Sequence, residues 1–283
     1  MNVTTIVLIP GLWMTALCWE RWVKYYSGKG YRVVAANWPG MEGDIEHLRR
    51  DPSNLAQLGL TELIDHYEQI IRELETPPLI IGNGFGGLVT QILLDRGWGA
   101  SGVAIASTPI KGILRLPTIS MVGAVLGEAL RDRKVTSLTA AQFHRRYANT
   151  LSESESRVAF ERYVVPGPTR MLLQTAFANF VSQAATSVNF RNNTRAPLLF
   201  VAAGEDLITP PSLVKANFDL YRQSKAETDY KQFPDKSHFI IGEKDWDKVA
   251  DYVLGWALCR ADSVSTVAAF PNRKASWSVQ LSG

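Results

Sequence analysis

The stretch most suggestive of chemistry is Gly82-Asn83-Gly84-Phe85-Gly86-Gly87, which follows the apolar run PLIIG at residues 78–82 and precedes the helical pattern LVTQILLDRG. Glycines between a strand and a helix can serve two kinds of chemistry. In one, backbone N–H groups at the helix start cradle a dinucleotide pyrophosphate, and Gly82, Gly84 and Gly87 fit the G-x-G-x-x-G spacing. That chemistry also asks for an acidic residue about twenty positions on, at the end of the next strand, to hold the ribose hydroxyls. Here that strand ends Ala106-Ser107-Thr108, and two strand-like runs precede the glycines, whereas a dinucleotide motif normally lies on the first strand of its sheet. In the other, small residues permit a sharp strand-to-helix turn that presents its apex residue to a substrate, and the apex is Gly84.

Other reactive side chains are few. The four histidines, His47, His66, His144 and His238, and the two cysteines, Cys18 and Cys259, form no set at zinc-ligand spacing, so neither a metal nor another cofactor is expected. Both thiols read as buried and reduced, and His238 taken alone reads as a surface histidine. The 283 residues, 46% hydrophobic and 20% charged, suffice for one globular domain or a core with an insert. Thirty Lys and Arg against 27 Asp and Glu leave a formal charge of +3 in short clusters only, which excludes a nucleic-acid footprint. The apolar opening at residues 4–9 has no basic residue before it and is ended by Pro10-Gly11, too early for a signal-peptide core. No stretch approaches the ~20 apolar residues of a bilayer span. A soluble, cytoplasmic protein with no membrane partner is expected.

Six strand-like runs must carry these residues: 4–9, 31–36, 78–82, 102–107, 197–203 and 228–233. Most are too apolar to face water on either side, and helical patterns at 17–27, 61–74, 86–96, 210–223 and 245–259 alternate with them. Such alternation predicts a mainly parallel sheet of about six strands covered by helices on both faces. The interval 108–196 is far longer than a crossover needs. Within it, Thr139-Ala-Ala-Gln142 and Ser152-Glu-Ser-Glu155 match the capping-box pattern, which predicts a helical cap between core segments 1–107 and 197–260. Residues 261–283, Ser-rich and aperiodic, read as a flexible tail.

Taken together, these segments resemble the α/β-hydrolase fold family over nearly everything up to about residue 260. Gly82 and Gly86 match the flanking glycines of its G-x-S-x-G turn, with Gly84 where the nucleophilic serine belongs and Asn83 where a histidine is frequent. Pro10-Gly11-Leu12-Trp13 resembles the oxyanion loop, although Pro10 replaces the common histidine. Gly204-Glu205-Asp206 resembles the acid loop, with Asp206 at the acid position and Glu205 as a fallback. Asp235-Lys236-Ser237-His238-Phe239 resembles the histidine loop. The resemblance implies a His238–Asp206 pair and an oxyanion hole made by the backbone N–H groups of Leu12 and Phe85. It also implies that the family's first two strands are missing. Trp13 and Asn83 are candidate pocket residues, whereas the insert aromatics Phe143, Tyr147, Phe160, Tyr163, Phe177 and Phe180 read first as core. His47, His66 and His144 match none of these loops.

Losing the nucleophile of a triad lowers turnover about a millionfold, so hydrolysis through an acyl-enzyme is not expected. A general base worth about 10² to 10⁴ and an oxyanion donor worth about 2.7 to 4 kcal/mol suffice for proton abstraction beside a carbonyl. The leading expectation is a non-hydrolytic enzyme that condenses, cyclises, isomerises or eliminates from a small apolar carbonyl metabolite in secondary metabolism. Direct attack by water and cofactor-independent oxygenation are variants. The alternatives are a ligand-binding protein with a silent pocket and an artificial Ser-to-Gly knock-out of a hydrolase.

Overall fold

The computed structural model of the chain describes residues 3–113 and 134–263. The six strand-like runs form strands β1 (Thr5–Ile9), β2 (Arg32–Ala35), β3 (Leu79–Asn83), β4 (Ser101–Ile105), β7 (Leu198–Ala203) and β8 (Thr228–Phe233). They make one sheet in the order β2-β1-β3-β4-β7-β8, and every pairing in it is parallel. The four central strands are buried along their whole length. The edge strands β2 (RVVA) and β8 (TDYKQF) are not: with one neighbour each, they are half-exposed, and the polar residues of β8 suit that place.

Side chains alternate across the central strands as the pleat requires, and they feed two cores. Ile80 and Phe200 point into the core under α3 (Leu60–Arg72), α4 (Phe85–Asp95) and α7 (Pro211–Leu220). Leu79, Ile81 and Leu199 point into the other, under α1 (Glu20–Gly28) and α8 (Trp246–Ser263). The chain runs from β1 outward to β2, then through α2 (Ile45–Arg50) and α3 back to β3 on the far side of β1. This reversal opens a crevice at the C-terminal ends of β1 and β3, where doubly wound sheets bind ligands. The Pro10–Trp13 loop and Gly84 sit at those two ends.

Between β4 and β7, the described part of the insert holds a two-stranded antiparallel ribbon, β5 (Val135–Thr136) with β6 (Gly167–Pro168), and helices α5 (Glu153–Tyr163) and α6 (Thr169–Ala176). Both capping boxes form, Thr139 with Gln142 and Ser152 with Glu155. A five-residue π-helix, Phe143–Tyr147, follows the first. Residues 114–133 of the expected cap, and 264–283 of the expected tail, lie outside the described residues. The tail boundary at 261 is corrected, since α8 runs on to Ser263. Cys18 is buried as expected, but Cys259 lies on the outer face of α8 and is exposed. Among the described residues, no helix is long and apolar enough to cross a membrane.

The start of α4 packs directly on the end of β1. A Cβ on Gly86 would stand 2.1 Å from the Ile9 carbonyl oxygen, and one on Gly82 would stand 2.0 Å from the Gly86 carbonyl oxygen. Backbone atoms cannot yield there, so Gly86→Ala is expected to destabilise by about 1 to 3 kcal/mol or more. Gly255 in α8 has nothing within 4 Å of its own Cβ position, and Gly255→Ala should stabilise by about 0.5 to 1 kcal/mol. Urea unfolding midpoints that move in opposite directions bear this out; equal shifts contradict it.

Candidate active site

Three loops at the C-terminal edge of the sheet meet at one point. The first is the turn from β3 into α4. Gly84 adopts φ 56° and ψ −115°, outside the regions open to most residues, and its N–H donates to the Ile105 carbonyl at 2.9 Å. Its own carbonyl accepts from the N–H groups of Leu88 (3.2 Å) and Thr108 (3.0 Å), which fixes the turn from both sides. Phe85 is the first residue of α4, where an N–H has no carbonyl four residues back to bond.

The second loop follows β7 and carries Asp206, which is 2% exposed. Oδ1 accepts from the N–H groups of Ile208 (2.7 Å) and Thr209 (2.8 Å), so the loop's own backbone orients the carboxylate. That leaves Oδ2 for His238. The third loop follows β8, and His238 on it is 3% exposed with Nδ1 at 2.7 Å from Asp206 Oδ2. The Glu205 N–H donates to the Lys236 carbonyl at 2.8 Å, and the Gly204 N–H to the Phe233 carbonyl at 2.7 Å, tying the two loops together. With Nδ1 engaged, Nε2 faces the turn: a Cβ on Gly84 would lie 3.2 Å from it. The sequence places Asp206 and His238 32 residues apart, and the structure brings them into contact.

A cavity of about 30 Å³ separates the imidazole from the turn, and Leu12, Trp13, Gly84, Phe85, Tyr147 and His238 line it, with Leu172 and Ile208 adding apolar surface. That is room enough for a water molecule. Trp13 both lines the cavity and packs. Its backbone lies at φ 66°, a strained value for a bulky residue, and the insert holds it there. Its indole N–H donates to Thr136 Oγ1 at 3.1 Å, and its carbonyl accepts from the Val165 N–H at 2.9 Å.

Asn83 is not on the cavity lining; it lies buried beside Gly11. Glu205 is exposed, as is His47. His66 bonds the Asn37 carbonyl, and His144 is half-buried in the insert. Among the insert aromatics, Phe143, Tyr147 and Tyr163 are core, but Phe180 is 80% exposed. Among the described residues, no group of His, Cys, Asp and Glu is placed to hold a metal.

Sequence reasoning misses two residues that touch the histidine loop. The Tyr147 ring stands edge-on to His238 at 4.5 Å between centroids, and its carbonyl accepts from the Phe239 N–H at 3.0 Å. Glu243, 4% exposed, accepts from the Ser237 N–H at 2.9 Å and from the Thr150 hydroxyl of the insert. No local pattern marks either. Tyr147 reads as one more insert aromatic, and Glu243 as an ordinary surface acid.

A parallel sheet that presents a glycine turn after β3, an acid after β7 and a histidine after β8 defines the α/β-hydrolase class of architecture. Residues 6–252 match the family described as the alpha/beta hydrolase family, and the chain belongs to it. Similar solved structures include a monoacylglycerol lipase from Paleococcus ferrophilus, at 18% identity and TM-score 0.65, covering 90% of this chain and 94% of that one. A putative non-heme bromoperoxidase from Mycobacterium tuberculosis H37Rv is 17% identical with a TM-score of 0.67, covering 93% of each chain. A methylesterase from Arabidopsis is 11% identical with a TM-score of 0.63, covering 90% of this chain and 98% of that one. At such identities the likeness shows the fold. No curated protein matches significantly in sequence.

Burial pushes the Glu243 carboxyl above its ordinary range, against the hydrogen bonds that favour its charge. A raised folded-state value contributes stability below the unfolded value of about 4.3 and loses it as pH rises through the folded one. Glu243→Gln removes that dependence. The stability difference between wild type and Glu243→Gln should therefore move in the variant's favour from pH ~4 to pH ~7 in urea titrations, and a constant difference would contradict the assignment.

Proposed function

We propose that the chain is an enzyme in which His238, oriented by Asp206, acts as general base on a small carbonyl compound, with no covalent acyl-enzyme. The observation that carries this reading is the pairing of His238 Nδ1 with buried Asp206 while Nε2 faces Gly84, which has no side chain to attack with. The carboxylate fixes the tautomer that leaves Nε2 bare and stabilises the imidazolium once it forms. A substrate carbon then takes the place where a serine hydroxyl would stand. Its C–H bond breaks, the proton goes to Nε2, and the electron pair moves onto the carbonyl oxygen. The N–H groups of Leu12 and Phe85 receive that enolate charge. The enolate closes a ring, shifts its double bond or expels a leaving group, and His238 returns the proton. Leu12, Phe85, Leu172 and Ile208 suit an apolar substrate, and we place such a reaction in the biosynthesis of a small secondary metabolite.

A second reading keeps hydrolysis. It is favoured by a cavity with room for a water and by the lipase and methylesterase among the similar structures. In it, Nε2 takes a proton from a water whose oxygen attacks an ester carbonyl, and the alcohol leaves without an acyl-enzyme.

With β-dicarbonyl or aldehyde precursors, His238→Ala should lower turnover by about 10²- to 10⁴-fold. Equal turnover by the two proteins removes His238 from the mechanism. With esters in ¹⁸O-labelled water, direct attack puts the label in the acid without a pre-steady-state burst. A burst of alcohol release requires a covalent intermediate and overturns both readings.

A further inference from the structure

Two buried side chains beside the cavity are unused in the chemistry above. Asn83, at the end of β3, is 1% exposed, and neither its Nδ2 nor its Oδ1 has a hydrogen-bond partner among the described residues. Tyr147 is 1% exposed, and its hydroxyl is likewise without a partner. Buried polar groups are almost always paired, and each one left alone costs about 1 to 3 kcal/mol.

The two converge on Gly11. A Cβ there would stand 3.4 Å from Asn83 Oδ1, 3.4 Å from the Tyr147 hydroxyl and 3.1 Å from the Asn83 carbonyl oxygen. The bare face of the Gly11 Cα is therefore ringed by oxygens. This niche adjoins the site: the Gly11 Cα lies 3.8 Å from the Cβ position of Gly84, and Tyr147 lines the His238 cavity. The π-turn that ends in Tyr147 is a rare element, frequent at functional sites, and here it sets the ring against His238.

The polar atoms specify their partner. Burial pushes the Tyr147 phenol well above its usual range, with the Asp206 charge adding to the effect, so it stays protonated and can donate. Asn83 Oδ1 only accepts. A carbonyl oxygen satisfies the phenol but leaves Oδ1 unpaired. With Oδ1 as the amide atom nearest the bare face of Gly11, a hydroxyl, which accepts from the phenol and donates to Oδ1, pairs both groups.

We propose that Asn83 and Tyr147 bind a single hydroxyl group beside His238, supplied by water or by the substrate. The substrate case rests on the proposed function and narrows its substrate to a hydroxylated carbonyl compound. The test is calorimetric binding of 4-hydroxy-2-butanone and 2-butanone to wild type, Tyr147→Phe and Asn83→Leu, together with crystal structures of wild type and Tyr147→Phe. If the substrate supplies the hydroxyl, wild type prefers the hydroxylated ketone by about tenfold or more, and each variant brings the pair to parity. If water supplies it, wild type does not distinguish the ketones, and one ordered water bonded to Asn83 and Tyr147 disappears in Tyr147→Phe. Absence of both the preference and the water overturns the proposal. Tyr147→Phe keeps the ring against His238, so it decides alone should Asn83→Leu fail to fold. Binding is read apart from turnover: absence of both the preference and the water with His238-dependent turnover intact sinks the niche alone, and retained preference without turnover sinks the reaction alone.

Discussion

The hydrogen bond between His238 Nδ1 and Asp206 Oδ2, 2.7 Å long and shut away from solvent, sets the orientation of the one imidazole that faces the turn after β3. It depends on a chain of smaller constraints. Asp206 offers Oδ2 because the Ile208 and Thr209 N–H groups hold Oδ1. His238 stays in reach because its loop is stapled to the acid loop, to Glu243 and to the carbonyl of Tyr147. Two loops on neighbouring strands thus share one rigid arrangement. Their position relative to Gly84 follows from the order of the sheet.

Much of this architecture is legible in the chain. The central strands are almost wholly apolar because both their faces are buried, and such runs are hard to mistake once helices alternate with them. The capping boxes at Thr139 and Ser152 are local chemistry, and they form where their pattern stands. The exposure of β2 is not legible, because its RVVA run reads as buried and only the pairing order puts it at an edge, whereas Asp229, Lys231 and Gln232 mark β8. The exposure of Cys259 is hidden for a related reason: the apolar character of its helix says little about which face meets the sheet.

The site divides along the same line. Asp206, His238, Leu12 and Phe85 could be located through the order of loops that the family shares, and the first two make contact in the structure. Tyr147 and Glu243 could not. Tyr147 reaches His238 from an insert whose path no local pattern encodes, through a π-turn that no residue preference announces. Glu243 matters through a tertiary contact to the backbone N–H of Ser237, and its type alone suggests only a solvated acid. The strained backbone of Trp13, pinned by Thr136 and Val165, has the same origin. Core loops carry the dyad, while the insert shapes the space around it.

The central claim is that the carboxylate of Asp206 holds the proton of the neutral His238 ring on Nδ1 and so directs a bare Nε2 at the turn. Nitrogen-15 NMR of histidine-labelled protein, at a pH where the ring is neutral, measures this directly. The account predicts the Nδ1–H tautomer for His238, and that Asp206→Asn abolishes this preference. A neutral His238 ring with its proton on Nε2, or one whose tautomer is indifferent to Asp206, would contradict it.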